Sequence, residues 1–544
     1  MTSCHLPPAG FRGAYRSDPL ARAVYSEAAG IGRIVPAAVA APVDADDVVR
    51  LVKWASENSL SLIPRGSGTS MGGGAIGPGV IVDLSRIDSI GEVDASRRSI
   101  RVEPGALRGK VDRKARERGL RFPVDPSSGE FCTIGGMIAT NAAGSHTLKF
   151  GAMTHWVLSI DCVFADGSRA TVERGRKPPA GIPALERFYA DVAPRLANAA
   201  GVGHEGVAKD SSGYGIAGFA QSNDLVDILV GSEGTLAIVA GAELRLEPLP
   251  GATTGVLGAF DSLDDAVAAA VEARKAGAVA CELLEKTFLD VAAGSPSMID
   301  IPKETAAVLL AEVEGADENE ASQSAGELAE CFKRAGASIT RVALGAAEQH
   351  EIWELRHAAS PILSKLDPSL KSMQFIEDGA VPAENLAAYV QGIRDAFERR
   401  KIRGVIFGHA GDSHIHVNPL IDVGRDSWRD DVQGLLDDAV DLTAKLGGTL
   451  DGEHGDGRLR TPLLSRVWSS EAIDLFAAIK KAFDPAGILN PGVKVPLAGQ
   501  KALGDIKYDP DLAPLPDQAR KALDYISDAR AYSEFRLFLI PGDK

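Results

Sequence analysis

Cysteine is scarce in this chain, and no apolar run is long enough to cross a membrane. Five cysteines among 544 residues are scattered, without the CxxC spacing of a zinc or iron–sulfur site. Because their number is odd and their spacing irregular, they indicate no disulfide framework and favour a reducing compartment. The sequence has neither a continuous apolar stretch of about 18 residues nor a signal peptide. We therefore expect a cytoplasmic protein, soluble or peripheral to the membrane.

Positive charge is also in deficit. The chain has 58 Lys and Arg against 74 Asp and Glu, a formal net charge of −16, which argues against nucleic-acid binding. Hydrophobic residues make up 45% and charged residues 24%, as is usual for a folded globular protein. Because 544 residues exceed what one hydrophobic core usually organises, we expect at least two domains.

The two halves of the chain differ in texture. Three stretches rich in glycine and small residues lie before residue 250, and the pattern changes after Pro248, Pro250 and Gly251. Beyond that point apolar runs alternate with helices rich in Ala and Glu, which predicts an α+β domain with helices on one face of an antiparallel sheet. We divide the chain into an N-terminal segment (1–29), a first domain (30–250), a second domain (251–470), a returning segment (471–497) and a tail (498–544).

Hydrophobic periodicity places the main elements. Residues 44–58 have apolar side chains at helical spacing behind an acidic start. Strands are predicted at 60–64, 80–84, 100–102, 157–164 and 242–247. Helices in the second domain are predicted over 263–276, 319–336, 383–399 and 427–446.

The first glycine-rich stretch, residues 64–79, reads PRGSGTSMGGGAIGPG. Backbone N–H groups in such a loop can converge on a pyrophosphate, which the missing side chains allow to approach closely. A dinucleotide-binding Rossmann loop needs GxGxxG at the start of a helix, but here Gly66 and Gly68 are followed by Met71 and a predicted strand. From these residues alone, a phosphate-binding loop and ordinary turn glycines both remain open.

All three stretches together resemble the vanillyl-alcohol-oxidase (PCMH) type of FAD-binding domain. The resemblance is carried by RGSGTS at 65–70, TIGGMIATNAAG at 133–144 and GSEGTL at 231–236, in that order. It implies FAD, with Ile238 near the adenine and Asn490 near the flavin ring. Some relatives attach the flavin to a histidine of the first loop, but no histidine lies between His5 and His146, so we expect non-covalent FAD. The cofactor-binding residues so implied are Arg65, Gly66, Ser67, Gly68, Thr69, Ser70, Pro126, Thr133, Gly135, Gly136, Asn141, Gly144, Glu233, Gly234, Ile238 and Asn490.

Histidine is concentrated in the second domain. Four of the ten histidines fall in FGHAGDSHIHVNP (407–419) and DGEHGDG (451–457). Imidazole and carboxylate groups together suit Zn²⁺ or Mn²⁺, and a catalytic site leaves a position open for the oxygens of a 2-hydroxy acid. Ordinary surface or core histidines are the alternative, which fits a single histidine better than this cluster.

Both segments look like those of the D-lactate, glycolate and D-2-hydroxyglutarate dehydrogenases, which join the same FAD domain to a capping substrate domain. Their GHxGDGNxH pattern implies metal ligands at His409 and His416, with Glu453 as the third. It further implies that His454 is the general base, while hydride goes to flavin N5, and that Asn418 contacts the substrate.

The chain departs from that pattern at one point, where Ser413 and His414 stand in place of the usual Gly-Asn pair. His414 is an extra ligand, an outer hydrogen-bond donor or an exposed residue, and we favour a residue that does not bind the metal. The departure leaves the two other histidine ligands intact but leaves the identity of the metal open.

Three further residues match the positions that hold substrate carboxylates in D-2-hydroxyglutarate dehydrogenases: Arg356, Ser360 and Lys371. Arg356 offers a planar pair of donors and Lys371 a compact charge, both suited to an acid. Without the resemblance, an isolated Arg and Lys would be taken for solvated surface charges.

The sequence therefore predicts FAD-dependent, metal-assisted oxidation of a small D-2-hydroxy acid to the 2-oxo acid. The alternatives are an oxidase that uses O₂, an ether-lipid synthase of the same fold, and a flavin subunit that relays electrons in a complex.

The sequence does not identify the electron acceptor, which is an iron–sulfur protein, another electron-transfer protein or a quinone. Separately, a homodimer is also compatible with the sequence. The motifs look closest to members that continue into an iron–sulfur domain, but residues 498–544 contain no cysteine. We expect this aromatic-bearing tail to pack either on a partner or on the second domain.

Overall fold

The structure of the chain, a computed structural model, describes residues 6–197, 199, 201–292, 301–343, 345–357 and 369–542. Its first sheet has four strands in the order β1-β2-β4-β3. Strand β1 (Ala14–Arg16) is antiparallel to β2 (Ala38–Ala41), whereas β4 (Val80–Asp83) is parallel to both β2 and β3 (Leu62–Arg65). Strands β2 and β4 are buried along their whole length, as expected of parallel strands covered on both faces.

Helix α1 (Pro19–Val24) precedes β2, and α2 (Ala45–Glu57) connects β2 to β3. Helix α2 confirms the helix predicted over 44–58. Asp44 caps its first turn, where the carboxylate accepts two backbone N–H groups. The buried stripe that packs on the first sheet is Val48, Leu51, Val52 and Ala55.

A second, antiparallel sheet of five strands has the order β5-β6-β10-β8-β9. Its strands are β5 (Ile90–Asp94), β6 (Ser99–Val102), β8 (Val157–Phe164), β9 (Arg169–Glu173) and β10 (Ala237–Arg245), while β7 (Leu120–Arg121) and β11 (Glu247–Pro248) form a separate pair. The strand predicted at 157–164 is confirmed. The strand predicted at 242–247 begins five residues earlier, because Ala237 already pairs with Phe164 of β8.

Short helices connect these strands and carry the glycine-rich segments. They are α3 (Arg108–Arg116), α4 (Ile134–Thr140), α5 (Thr147–Phe150), α6 (Pro183–Arg187), α7 (Ala193–Leu196), α8 (Ile216–Ser222) and α9 (Leu225–Leu229), with a 3₁₀ turn at Met153–Trp156 and a π turn at Phe188–Val192.

The second half of the chain is built on an antiparallel sheet of eight strands. The order is β15-β12-β14-β13-β18-β19-β16, and β17 pairs with β19. The strands are β12 (Ala252–Phe260), β13 (Ala280–Glu285), β14 (Ala307–Gly315), β15 (Ala337–Val342), β16 (Leu370–Ser372), β17 (Gly379–Ala380), β18 (Arg403–His409) and β19 (His414–Asp422).

Helices cover both faces of this sheet, whereas the sequence predicted helices on one face. Four long helices pack on one side: α10 (Leu263–Lys275), α12 (Glu318–Arg334), α14 (Leu386–Arg400) and α15 (Trp428–Lys445). On the other side lie α11 (Lys286–Ala292) and α13 (Ala346–His357), which bury the alternate side chains of β12, β13 and β14. The prediction missed these two because their segments lack a long amphipathic pattern.

The remaining helices are α16 (Gly457–Arg460), α17 (Leu464–Val467), α18 (Ser470–Phe483) and α19 (Asp517–Asp528), with 3₁₀ turns at Ala383–Asn385, Ala410–Asp412, Thr461–Leu463 and Arg536–Leu539. Phe476 and Phe483 of α18 lie in the core beneath the second sheet. None of the helices in the described part of the chain is both long and apolar enough to pass through a membrane.

The tail contacts both halves of the chain. Ile506 lies in the hydrophobic core of the second domain, as one of the two expectations has it, whereas α19 and Leu537 pack beside the first sheet. Leu523 of α19 and Leu537 lie in one core with Val24, Val39 and other residues of α1, β2, β3 and β4. An exposed ion-pair cluster of Arg429 with Asp509 and Asp511 links the tail to α15 of the second domain. The amphipathic helix therefore covers an apolar face of its own chain.

One histidine is held between the two halves. Nδ1 of His146 lies 2.5 Å from a carboxylate oxygen of Asp125, and its Nε2 lies 3.0 Å from one of Glu312 on β14. Burial by itself lowers the pKa of His146, but the two carboxylates outweigh burial and raise the pKa well above its ordinary value. The charged imidazolium therefore bridges the first half of the chain to the eight-stranded sheet.

His146→Gln should destabilise the folded protein in a pH-dependent way. Because the folded-state pKa of His146 is raised, its stabilisation is complete below the unfolded-state pKa of about 6.5. That contribution is lost as pH rises through the folded-state pKa. Denaturant unfolding of wild type and variant should therefore differ most near pH 6, and the difference should shrink in alkaline solution. His350→Gln, at an exposed histidine of α13, is the matched control; a difference that widened with pH would contradict the bridge.

Candidate active site

A cavity lies between the loops of the first half and the second domain. Its walls come from all three glycine-rich stretches and from Glu453 and His454 of the second domain. Gly68 has φ +75°, a left-handed conformation that glycine adopts without strain. The predicted cofactor residues that line the cavity are Arg65, Gly66, Ser67, Gly68, Thr69, Ser70, Pro126, Thr133, Gly135, Gly136, Glu233 and Gly234.

The structure does not bring the other four to the cavity wall. Ile238 is fully buried in the core beside the first sheet, and its neighbours Ala237 and Val239 face the cavity. This follows from the alternation of side chains along β10. Asn490 is buried, and its amide nitrogen donates to the carbonyl oxygens of Gly74 (3.0 Å) and Glu233 (2.8 Å), so it ties two loops together.

The last two belong to the segment after α4. Asn141 ends α4 with φ +49°, and its side-chain oxygen accepts a hydrogen bond from the N–H of Thr154 at 3.0 Å. The carbonyl oxygen of Gly144 accepts a hydrogen bond from Nζ of Lys209 at 2.9 Å. Both residues therefore shape the walls behind the cavity.

The hairpin of β18 and β19 brings two predicted ligands against a third. Nε2 of His409 lies 3.3 Å from Nε2 of His416, and Oε1 of Glu453 lies 3.5 Å and 3.4 Å from these two atoms. Donor atoms bound to one metal at about 2.1 Å in a tetrahedral arrangement are ~3.4 Å apart. The three side chains are buried and spaced as a metal site requires.

A carboxylate and a backbone carbonyl oxygen orient these two imidazoles. Nδ1 of His409 hydrogen-bonds Glu282 on β13, and Nδ1 of His416 donates to the carbonyl oxygen of Glu377 at 3.0 Å. Each contact leaves the Nε2 atom facing Glu453. Such outer contacts fix the tautomer and direction of a metal-binding histidine.

His454 lies at the junction of the cavity and the cluster. Its Nδ1 is 3.3 Å from Glu377 and 3.4 Å from Asp378, and its Nε2 is 3.7 Å from Oε1 of Glu453. Burial lowers the pKa of His454, but the charges of Asp378, Glu377 and Glu453 outweigh burial and raise it to about 9. Both His454 and Glu453 also line the large cavity.

His414, at the departure from the expected pattern, is fully buried beside the cluster. Its Nε2 lies 2.8 Å from Oδ1 of Asp378, and its Nδ1 lies 4.0 Å from Oε2 of Glu453. Burial lowers the pKa of His414 to about 3, so the ring is neutral. Of the three alternatives for His414, the exposed residue is therefore ruled out.

Three of the four predicted substrate-binding residues lie within the described part of the chain, on different elements. Arg356 on α13 pairs with Glu282 at 2.8 Å and lies 4.4 Å from the ring centre of Phe407. Lys371 lies on edge strand β16, and Asn418 is buried on the adjacent β19. Ser360 falls outside the described residues.

Sequence reasoning missed several charged groups of the site. Glu282 contacts both His409 and Arg356 but lies on an apolar strand distant in sequence from both, so no local signal marked it. Lys209, fully buried, places Nζ 3.1 Å from Oε2 of Glu453 and 3.8 Å from Asp412. A lone lysine usually lies on the protein surface, so the sequence around Lys209 gave no indication that it is buried.

Arg460 was missed as well, although it lies only a few residues beyond His454. Its guanidinium contacts Glu377 and lies 3.8 Å from Asp378. Behind Glu233, the buried Nζ of Lys494 lies 3.2 Å from Glu233 and 2.9 Å from Asp456. These pairs neutralise carboxylates on both sides of the cavity.

Comparison with known proteins identifies the two halves. Residues 36–173 match the family model described as "FAD binding domain", and residues 249–493 match "FAD linked oxidases, C-terminal domain". The glycolate oxidase subunit GlcD of Bacillus subtilis (strain 168) is 31% identical, over 87% of this chain and 92% of that protein. The chain belongs to the FAD-linked 2-hydroxy acid dehydrogenase family. It is therefore an FAD-dependent oxidoreductase, as predicted.

Other relatives in the family differ in length. A D-lactate dehydrogenase of Archaeoglobus fulgidus is 31% identical, over 84% of this chain and 90% of that protein. A D-2-hydroxyglutarate dehydrogenase of Escherichia coli (strain K12) is 29% identical over 91% of this chain, which spans only 52% of that longer protein.

Solved structures confirm the predicted fold class. A 4-ethylphenol oxidase from Gulosibacter chungangensis has a TM-score of 0.64 at 14% identity, covering 88% of this chain and 94% of its own. An alkyldihydroxyacetonephosphate synthase has a TM-score of 0.61 at 18% identity, over 88% and 82%. The fold is α+β, with a vanillyl-alcohol-oxidase type FAD domain and a second domain on an antiparallel sheet.

Proposed function

We propose that the protein oxidises a small D-2-hydroxy acid to the 2-oxo acid where the FAD cavity meets the histidine cluster. The observation that carries this proposal is that Glu453 and His454 line the cavity while Glu453 also faces His409 and His416. A substrate bound there touches the metal-binding cluster and the flavin at once. Relatives named for glycolate, D-lactate and D-2-hydroxyglutarate support the substrate class.

The residues of the cluster fit a divalent metal. Besides the donor spacing, four buried carboxylates (Glu282, Glu377, Asp378 and Glu453) outnumber the three lysine and arginine cations that pair with them (Lys209, Arg356 and Arg460). Unpaired buried negative charge is costly, so protonated histidines of the cluster or an added cation must balance it, and a divalent ion can take that role. A divalent ion on His409, His416 and Glu453 would polarise the hydroxyl and carboxylate oxygens of the substrate.

His454 is the proposed general base. Because its Nδ1 faces Glu377 and Asp378, Nδ1 keeps a proton and Nε2 receives the proton of the substrate hydroxyl. A divalent ion beside Glu453 would offset the carboxylates that raise the pKa of His454, bringing that pKa down toward the range of a base at neutral pH. Bound FAD would supply the acceptor, at its N5, for the hydride that leaves C2.

The substrate carboxylate is proposed to bind Arg356, Ser360, Lys371 and Asn418. Within the described part of the chain, Arg356 bonds Glu282 through its Nε atom, and its terminal nitrogens are proposed to bind the anion. Asn418 accepts a hydrogen bond from Gln374 at 3.1 Å through its side-chain oxygen, so its amide nitrogen is oriented as a donor. FAD is proposed to bind without a covalent link, because the 65–70 loop that lines the cavity has no histidine.

The electron acceptor distinguishes the alternatives. A dehydrogenase passes electrons to a quinone, an iron–sulfur protein or another electron-transfer protein, whereas an oxidase passes them to O₂. A subunit that only relays electrons needs neither the base nor the ligand set, and the close approach of the residues proposed for both roles supports an enzyme instead. An ether-lipid synthase of this fold performs no net oxidation and would leave the metal-binding donors without a role.

Anaerobic mixing with 2-hydroxy acids tests the reaction directly. The FAD-loaded enzyme should lose its oxidised-flavin absorbance with at least one of D-lactate, D-2-hydroxyglutarate and glycolate, and the L-forms should leave it unchanged. On admitting air, slow reoxidation that an artificial dye accelerates would identify a dehydrogenase, and rapid formation of hydrogen peroxide an oxidase. If dithionite bleaches the flavin but none of these acids does, the proposed function is wrong.

His454→Gln should retain FAD and metal but lose flavin reduction. Removing a general base typically costs about 10²–10⁴-fold in rate. Stopped-flow absorbance under single-turnover conditions measures this rate without involving the acceptor. His155→Gln, at an exposed histidine of the first domain, is the control and should reduce flavin at the wild-type rate. A normal rate in the His454 variant would remove it from the reaction.

Removing the divalent ion should stop flavin reduction while FAD stays bound. Treatment with a chelator should abolish reduction in wild type, and adding back Zn²⁺ or Mn²⁺ should restore it. Glu453→Gln should contain little metal and should not respond to added metal. Glu272→Gln, at an exposed side chain of α10, should behave as wild type. Elemental analysis without a stoichiometric divalent ion, together with indifference to chelators, would refute the metal site.

A further inference from the structure

We propose that His414 is a fourth protein ligand of the divalent metal, which makes this site a cluster of three imidazoles and one carboxylate. The inference rests on the proposed metal site of His409, His416 and Glu453. It reverses the expectation, made from the sequence, that His414 does not bind the metal.

The two ring nitrogens of His414 are in different situations. Nε2 lies 2.8 Å from Oδ1 of Asp378, a carboxylate that can only accept, so Nε2 is the nitrogen that donates a proton to this hydrogen bond. Nδ1 then carries a lone pair. Among the described residues this buried atom has no hydrogen-bond partner, and a buried acceptor without a donor is costly.

Nδ1 of His414 lies close to the proposed ligands. Oε2 of Glu453, itself an acceptor, is 4.0 Å away. One donor atom from each of His409, His414, His416 and Glu453 lies within 4.8 Å of the other three. The ring centre of His414 lies 4.7 Å from that of His416 and 5.4 Å from that of His409. A cation in this space would meet the orphaned lone pair.

The local backbone is arranged around this ring. Ser413 has φ +55°, and this left-handed residue turns the chain so that His414 pairs with His409 at the start of the hairpin. Gly452 packs against the Nε2 edge of the ring, opposite Nδ1, where a Cβ would lie 2.6 Å from Nε2 of His414. The glycine therefore leaves the space that the imidazole occupies, and Asp378 holds its direction.

A third imidazole changes which metals the site prefers. Imidazole suits Zn²⁺, Fe²⁺ and Ni²⁺, whereas Mg²⁺ and Mn²⁺ prefer carboxylate, carbonyl and water oxygens. With four protein donors, substrate oxygens must enter as additional ligands, so the metal must be able to expand its coordination. We expect this chain to bind Zn²⁺ or Co²⁺ more tightly, relative to Mn²⁺, than its own variant with the usual asparagine at this position.

X-ray absorption spectroscopy of the Zn²⁺-loaded, FAD-bound enzyme counts the imidazoles directly. Wild type should show three imidazole ligands, and His414→Asn should show two. His454→Gln should still show three, which excludes His454 as the third ring. Removing a donor should also weaken Zn²⁺ binding by at least about 10–100-fold, since even outer contacts of metal ligands cost that much. Competition with a chromophoric chelator measures the affinity.

The outcomes separate this inference from the function on which it rests. Two imidazoles in wild type, or an unchanged count in His414→Asn, would overturn the role of His414 and leave the three-ligand site standing. No bound Zn²⁺ in wild type would overturn both. If His414→Asn does not fold, the wild-type count together with that of His454→Gln decides the question.

Discussion

The carboxylate of Glu453 is buried between a lysine of the first domain and the imidazoles of the second. Its Oε2 lies 3.1 Å from Nζ of Lys209, which also donates to the carbonyl oxygen of Gly144 behind the FAD cavity. Its Oε1 faces Nε2 of His409 and His416. One side chain thus links the wall of the cofactor cavity to the histidine hairpin. Because an unpaired buried charge costs several kcal/mol, the two domains must meet in this register for Glu453 to be neutralised.

Further buried charges extend outward from that contact in pairs. Glu282 contacts His409 on one side and Arg356 on the other, and Arg460 contacts Glu377 behind His454. Burial by itself raises the pKa of Glu282 and of Glu377, but the neighbouring cations outweigh burial and lower both. The carboxylates are therefore ionised and held in place before any substrate arrives. Such preorganised charge is what enzymes use to stabilise developing charge in a reaction.

How much of the fold and the site the sequence could predict depends on how far apart in sequence the residues of each feature lie. The glycine-rich loops and the α2 helix are local patterns, and their positions are confirmed by the structure. The spacing of His409 and His416 along a hairpin is also local, and the structure brings the two rings together. By contrast, the partnership of Glu282 with His409 spans 127 residues, and no short window contains both.

Two other residues show the same limit. Ile238 matched a motif by position, but the alternation of side chains along β10 turns it away from the cavity. His414 differs from the expected asparagine by its ring, and only the three-dimensional structure shows that Gly452 and Asp378 both lie at the Nε2 edge of that ring. A substitution within a motif is interpretable when the residues that contact it are known, and those come from other segments of the chain.

In the proposed reaction, the same electrostatics would connect metal binding to proton transfer. Burial by itself lowers the pKa of His409 and of His454, but the neighbouring carboxylates outweigh burial and raise each pKa to about 9. A divalent ion on the proposed ligands would require the neutral ring of His409, because a metal binds the imidazole lone pair. The positive charge of such an ion would also oppose protonation of His454, whose Nδ1 contacts Glu377 and Asp378. In the proposed reaction, the ion that binds the substrate oxygens would therefore also favour the neutral form of the base that removes the hydroxyl proton.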